Sequence, residues 1–265
     1  MNTRYYVILG TPETQARILT IFNQVFDALG IRALCIPEPT HATPDAGMLD
    51  LILRRDGVRG VQMATPQPLE RCPPLARTST EATWAGSVSA IVRDDAGALS
   101  GALFDGVGFV KHLSEQGFAF AGKHILLLGG SPAARAIGAS MAAAGARSID
   151  VRDPLQERAV ATIAMLAARF GIAGSDDGRI PLSSYSLIVN TLELYRSPGS
   201  GSLPVDLAAV TPGTIIADTV LEESRSHFLR AARQRGLPTF WGLPALRDQV
   251  RLYLDFFGEV PRIDR

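Results

Sequence analysis

The residues best placed to do chemistry are Gly129-Gly130-Ser131-Pro132-Ala133-Ala134, which follow the apolar run His124-Ile125-Leu126-Leu127-Leu128 and precede an alanine-rich stretch. A glycine turn between a strand and a helix lets the backbone approach a pyrophosphate, and the helix N-terminus attracts the anion. Gly129, Gly130 and the small Ala134 suit a dinucleotide fingerprint of the form G-x-G-x-x-G/A. Ser131 stands where the middle glycine is usual, and its Cβ takes up space; Pro132 removes one N–H donor. Asp153 comes 24 residues after Gly129, at the end of the next predicted strand. There a carboxylate accepts from the ribose hydroxyls of NAD and repels the 2′-phosphate of NADP. Arg152, beside it, points to the other face of the strand and complicates this preference. Asp153-Pro154 is also a plain helix start. Any mechanism needing a lysine has two to choose from, Lys111 and Lys123, because the other 24 of the 26 basic residues are arginines.

The elements that would position these residues alternate along the chain. Tyr5-Tyr6-Val7-Ile8-Leu9 reads as a buried strand. A helix over 20–29 has its apolar stripe at Ile21, Phe22, Val25, Phe26 and Leu29. Strands are predicted over 33–37, 60–65 and 87–93, with a helix over 47–55. From Gly122 the pattern restarts: strands over 124–128, 148–153, 186–190, 213–218 and 239–241, and helices over 133–144, 156–170, 226–235 and 244–257. Alternation of this kind implies a mainly parallel sheet. Ser197-Pro198-Gly199-Ser200-Gly201-Ser202 reads as a flexible loop.

With 265 residues, 46% of them apolar, the chain can bury one large core or two modest ones. Its 26 basic and 26 acidic residues cancel, so no overall field draws nucleic acid or an anionic membrane. No apolar run nears the roughly 20 residues that span a bilayer, and the N-terminus does not read as a secretory signal. Cys35 and Cys72 have no metal-site spacing, so no metal is expected. These features point to a cytoplasmic protein for small molecules.

Several segments together resemble the shikimate/quinate dehydrogenase family. Gly101-Ala102-Leu103-Phe104-Asp105-Gly106-Val107-Gly108-Phe109 is similar to G-x-N-T-D-x-x-G-F. Gly122-Lys123-His124 through Arg135-Ala136 is similar to G-K-x-v-L-l-L-G-a-G-G-A-A-R-A. Gly242-Leu243-Pro244-Ala245-Leu246-Arg247-Asp248-Gln249 resembles G-x-x-M-L-x-x-Q, and Gly10-Thr11-Pro12 resembles an opening G-N-P. The resemblance implies an α/β protein: an N-terminal substrate domain, 1–101, completed by 242–265, and a Rossmann-like doubly wound nucleotide domain, 102–241, with a cleft between them. It also implies an oxidoreductase using NAD or NADP, with NAD favoured by Asp153, and a link to aromatic amino acid biosynthesis. A homodimer is left open.

Carried over position by position, much of the family's chemistry is missing. N-V-T-x-P-x-K falls on Gln62-Met63-Ala64-Thr65-Pro66-Gln67-Pro68, so proline takes the place of the catalytic lysine. The substrate-binding S-x-S pair falls on Ala16 and Ile18, and the family's asparagine in A-x-N-T on Ser89. N-A-T-P becomes Asn190-Thr191-Leu192-Glu193. Asp105 matches the catalytic aspartate and Gln249 the substrate-binding glutamine; their plain alternatives are a helix cap and a solvated helix position. The expected substrate site is Asp105, Gln249, Thr65 and Ser89, with Asp105 and Gln249 facing one cleft and Thr65 and Ser89 on its far wall. The expected nucleotide site is Gly129, Gly130, Ser131, Ala134, Arg152 and Asp153. Arg17 and His41 are weaker candidates for ligand binding and proton transfer. Expected function is oxidation or reduction of a hydroxylated small molecule, inefficient on shikimate. A catalytically inactive relative that binds a nucleotide or metabolite is the alternative, and a two-domain dehydrogenase of the methylenetetrahydrofolate type is a third.

Overall fold

The computed structural model describes residues 3–40, 43–176, 178–192, 203–221 and 223–259. His41, Glu193 and the 197–202 loop lie outside them. The chain forms two compact units, Met1–Asp105 with Arg247–Arg265, and Gly106–Leu246. Among the described residues no helix is long and apolar enough to cross a membrane.

The first unit is built on a six-stranded sheet of β1 (Arg4–Gly10), β2 (Ala33–Pro39), β3 (Val58–Pro68), β4 (Arg77–Thr78), β5 (Ser87–Arg93) and β6 (Leu99–Ala102) in the order β2-β1-β3-β5-β6-β4. β1 runs parallel to both neighbours, but β5 is antiparallel to β3 and to β6. β4 is parallel to β6, so three of the five pairings are parallel and the sheet is mainly parallel as expected, with β5 the antiparallel exception. The turn at 94–97 is a hairpin, closed by Asp94 accepting from the Ala98 N–H, and hairpins pair antiparallel. Helix α1 (Pro12–Ala28) starts earlier than its apolar stripe suggests, with Pro12 at its first turn, and buries Gln15, Ile18, Phe22 and Phe26. Two further helices, α2 (Ala46–Leu53) and α3 (Thr80–Ala85), are capped by Asp45 and Ser79.

The second unit begins with the body of α4 (Asp105–Glu115). Its sheet, of β7 (His124–Leu128), β8 (Ser148–Arg152), β9 (Leu187–Asn190), β10 (Ile215–Asp218) and β11 (Thr239–Trp241), has the order β11-β10-β9-β7-β8 and is parallel throughout. Alternate β7 residues face opposite cores. Ile125 and Leu127 pack with α4, α5 (Pro132–Ala143) and α6 (Gln156–Phe170); Leu126 and Leu128 pack with α7 (His227–Gln234). Both faces covered is why β7 reads as unbroken apolar sequence. Strand order reverses between β7 and β9, the switch point where doubly wound sheets take ligands.

The last helix, α8 (Gly242–Phe256), delivers its final turns to the first unit. Phe257 stacks on Tyr6 with ring centroids 4.1 Å apart, and Tyr253 meets Phe22 edge-on at 5.4 Å. Beyond them Glu259 accepts from Arg4 Nε at 2.7 Å and from the Tyr6 hydroxyl at 2.5 Å. The Glu259 side chain is 2% exposed, against 34% for Arg4, so this pair is better shielded than a surface ion pair. Glu259→Gln should remove the charge assistance at both contacts and cost about 1.5–3 kcal/mol, read from urea unfolding. A loss within about 0.5 kcal/mol would show that the Glu259 charge does not anchor the C-terminal segment.

Candidate active site

In the first unit, the partner strands β3 and β5 pair through Gln62↔Ala90 and resume at Gln67↔Val88, leaving 63–66 bulged opposite Ser89 alone. Such bulges re-aim side chains beside functional sites. Ser89 is 1% exposed, and its Oγ lies 3.0 Å from the Tyr253 hydroxyl. Tyr253 is itself 2% exposed and wedged edge-on against Phe104 at 4.8 Å. Gln62, buried at 2%, lies near enough for its side chain to favour the charged form of Tyr253. On the other side Ser89, together with the backbone of Asp105, the first residue of α4, favours the charged form of the Asp105 carboxyl group.

Ser89 was expected across a cleft from Asp105. It stands beside it instead, because the β5–β6 pairing Ala90↔Ala102 sets their backbones side by side. Asp105 Oδ2 is buried and has no partner, and neither has Gln62 Oε1 or Gln67 Oε1. Burial raises the Asp105 carboxyl above the ordinary carboxylate range, more than the Ser89 and backbone hydrogen bonds lower it. Tyr253 is raised too, first by burial and then by the charge of Asp105. Thr65 sits exposed on the bulge, its carbonyl accepting from Gln67 Nε2 at 2.9 Å. Gln249 is buried, one helical turn before Tyr253. Ile18 is buried and Ala16 exposed.

Tyr253 and Gln62 were missed in reading the sequence, though each carries a signal. Tyr253 follows Gln249 by four residues on the same helix, and Gln62 is a polar residue inside an apolar strand. Lys111 pairs with Glu115 on α4.

In the second unit, Gly129 adopts φ +117°, and a Cβ there would stand 2.1 Å from Thr191 Oγ1. At Gly130 a Cβ would meet the Arg158 carbonyl at 2.6 Å. Both glycines are thus required by the chain's own packing. Ser131 caps α5 by accepting from the Ala134 N–H at 3.2 Å. Asp153 accepts from the Gly130 N–H at 2.7 Å and from the Leu155 N–H at 2.8 Å. It shapes the turn rather than capping α6, whose N-cap is Leu155. The Arg152 guanidinium lies beside Gly178, with its Nε buried and without a partner.

These residues fit a dinucleotide with a sparse phosphate cradle. Pro132 has no N–H, and those of Gly130 and Ala134 are engaged, which leaves the Ser131 and Ala133 amides at the mouth of α5. A carboxylate has about four acceptor sites, so Asp153 keeps capacity for ribose hydroxyls.

No protein-family model matches the chain. Among curated proteins, the NADP(+)-dependent shikimate dehydrogenase of Citrifermentans bemidjiense is 32% identical over 264 residues, spanning 94% of this chain and 87% of that protein. The chain belongs to the shikimate dehydrogenase family. The solved shikimate 5-dehydrogenase of Thermus thermophilus, in complex with NADP(H) and shikimate, superimposes with a TM-score of 0.80 and 25% identity over 98% of this chain and 95% of that one. A ligand-free 5-ketofructose reductase of Gluconobacter shares the fold, with a TM-score of 0.83 at 21% identity over 97% of this chain and 93% of that one. The family is one of oxidoreductases with a two-domain Rossmann-type α/β fold.

A carboxyl raised by burial binds its proton more tightly folded than unfolded. Asp105 therefore contributes stability that is fully present below about pH 3.9, the unfolded value, and lost as pH rises through its higher folded value. Asp105→Asn should melt with the parent in acid and above it at mildly alkaline pH. A constant offset between the two melting curves across pH would count against this.

Proposed function

We propose that the chain is an NAD(P)-linked oxidoreductase acting on a small hydroxylated compound other than shikimate. The first unit takes the substrate and the second the nucleotide. The observation that carries this reading is Asp105 Oδ2, buried and unpartnered in a cluster with Ser89. A buried polar atom without a partner is costly, about 1–3 kcal/mol, and a substrate hydroxyl would satisfy it. Asp105 would then touch the reacting oxygen, with Ser89, Gln249 and Thr65 lining the substrate. The nucleotide would lie over the Gly129 turn with its pyrophosphate at the Ser131 and Ala133 amides, Ala134 allowing close approach. When bound it supplies hydride chemistry.

Two absences argue against shikimate. Ala16 and Ile18 offer no hydroxyl to a carboxylate, and Pro68 offers no proton-transfer group. General acid–base terms are worth about 10²–10⁴ in rate. With shikimate and either nucleotide, kcat/KM should fall at least that far below an ordinary dehydrogenase. Turnover at ordinary rates would refute the substrate assignment.

Asp153 favours NAD over NADP by repelling a 2′-phosphate, against the pull of Arg152. Calorimetry should find NAD binding more tightly, with Asp153→Ser narrowing the difference; equal binding by the parent protein would reject the preference. The engaged amides of Gly130 and Ala134 support a second reading, a family member without redox activity. Binding of neither nucleotide would favour it.

A further inference from the structure

Strand β2 is an outer edge of the first unit's sheet, pairing with β1 on one side. An edge strand turns alternate N–H and C=O groups outward, where another chain pairs with them unless they are blocked. The bonds at the two ends of β2 show which groups those are. The Arg4 N–H donates to the Arg32 carbonyl at 3.2 Å, and the Thr40 N–H donates to the Gly10 carbonyl at 3.4 Å. Even-numbered residues of β2 therefore turn their backbone groups to β1, and residues 33, 35, 37 and 39 turn theirs outward.

All four lie among the described residues, and none offers a free N–H. The Ala33 N–H donates to the Ile31 carbonyl at 2.8 Å, closing a three-residue turn at the start of the strand. Residues 37 and 39 are prolines, which have no N–H. At Cys35 helix α1 stands in for a neighbouring strand. Asn23 Oδ1 accepts from the Cys35 N–H at 2.7 Å, and Asn23 Nδ2 donates to the Cys35 carbonyl at 3.1 Å. A carboxamide carries the donor and acceptor of a peptide group, so it occupies both outward bonds of Cys35 at once. Packing places it there: Ile18, Phe22 and Phe26 are buried, and Asn23 lies about 100° round the helix from Phe22, at the margin of that stripe.

We propose that the β2 edge is closed to a second copy of this chain, and that Asn23 is the residue that closes it at Cys35. The edge still presents the carbonyls of Ala33, Pro37 and Pro39, so it accepts without donating. Two copies meeting edge to edge would set acceptor against acceptor with no N–H between them. Leu34, 42% exposed on the same strand, is the kind of apolar side chain that an added strand would cover, which gives the closure something to protect. Self-association of this chain, where it occurs, uses another face.

Amide hydrogen exchange on the full-length protein, read residue by residue by NMR, tests the closure. The Cys35 N–H should exchange slowly in the parent, and Asn23→Ala should speed it by about tenfold or more. Leu34 and Ile36, whose N–H groups face β1, should keep their rates. Asn23→Asp retains the acceptor and should leave Cys35 protected. Sedimentation tests the consequence. Asn23→Ala combined with Pro37→Val and Pro39→Val should raise the association state above that of the parent at equal concentration. Should that triple variant fail to fold, Asn23→Ala with Pro37→Val takes its place. Equal Cys35 exchange in the parent and Asn23→Ala, loss of protection in Asn23→Asp, or an association state unchanged by opening the edge overturns the proposal.

Discussion

The hydrogen bond between Ser89 and Tyr253 joins residues 164 apart in sequence and sets much of what surrounds it. Without it the last turns of α8 would rely mainly on apolar packing, which fixes position loosely because it has no direction. With it, the rotation of the helix is set, since one hydroxyl must meet another at 3.0 Å inside a wall formed by Phe22 and Phe104. The same bond orients Ser89 towards Asp105. Helix docking and the geometry of the carboxyl group thus share one constraint. The bulge at 63–66 leaves Ser89 without direct strand partners, and its hydroxyl turns instead to Tyr253 and Asp105.

Steric exclusion does in the second unit what hydrogen bonding does in the first. At Gly106 a Cβ would lie 2.1 Å from the Ala136 carbonyl, so α4 and α5 approach as closely as backbones allow. Gly129 and Gly130 are held equally tightly by Thr191 and Arg158. The glycine turn is therefore rigid before any ligand arrives, and Asp153 locks it by taking the Gly130 N–H. A preformed turn lowers the ordering cost of binding a phosphate. It also sets a limit, because amides spent on Asp153 and Ser131 are not offered to the ligand.

How much of this could be read from residues alone depends on the range of the interaction. β7 and β11 and the glycine turn were legible because their signals are local: an unbroken apolar run or a Gly pair. The start of α1 at Pro12 was not, since its first turn is mostly polar or exposed and only Gln15 and Ile18 are buried there. The antiparallel course of β5 depends on a hairpin whose four-residue turn resembles any surface loop. Asp105, Ser89 and Gln249 were found through a family pattern. Tyr253 has no counterpart in any pattern used, and its role arises only where β3, β5 and α8 converge. Ser89 was expected on the wall opposite Asp105 and stands beside it, because strand adjacency between β5 and β6 is a long-range fact.

The polar cluster also bears on how a buried carboxyl group stays ordered among uncharged neighbours. A charged pair holds its members by attraction that weakens slowly with distance, and removing one partner strands the other at a high desolvation cost. A chain of hydroxyls holds by contact and direction, and tolerates neutrality because no member needs a counter-ion. Tyr253 and Ser89 form such a contact beside Asp105, with Gln62 near the Tyr253 hydroxyl. Pro68, at the end of β3, brings no charge to the site, and burial of Asp105 favours its neutral form. The arrangement trades electrostatic reach for proton position. A site governed this way discriminates by where donors and acceptors sit, and so selects ligands by their hydroxyl pattern more than by charge.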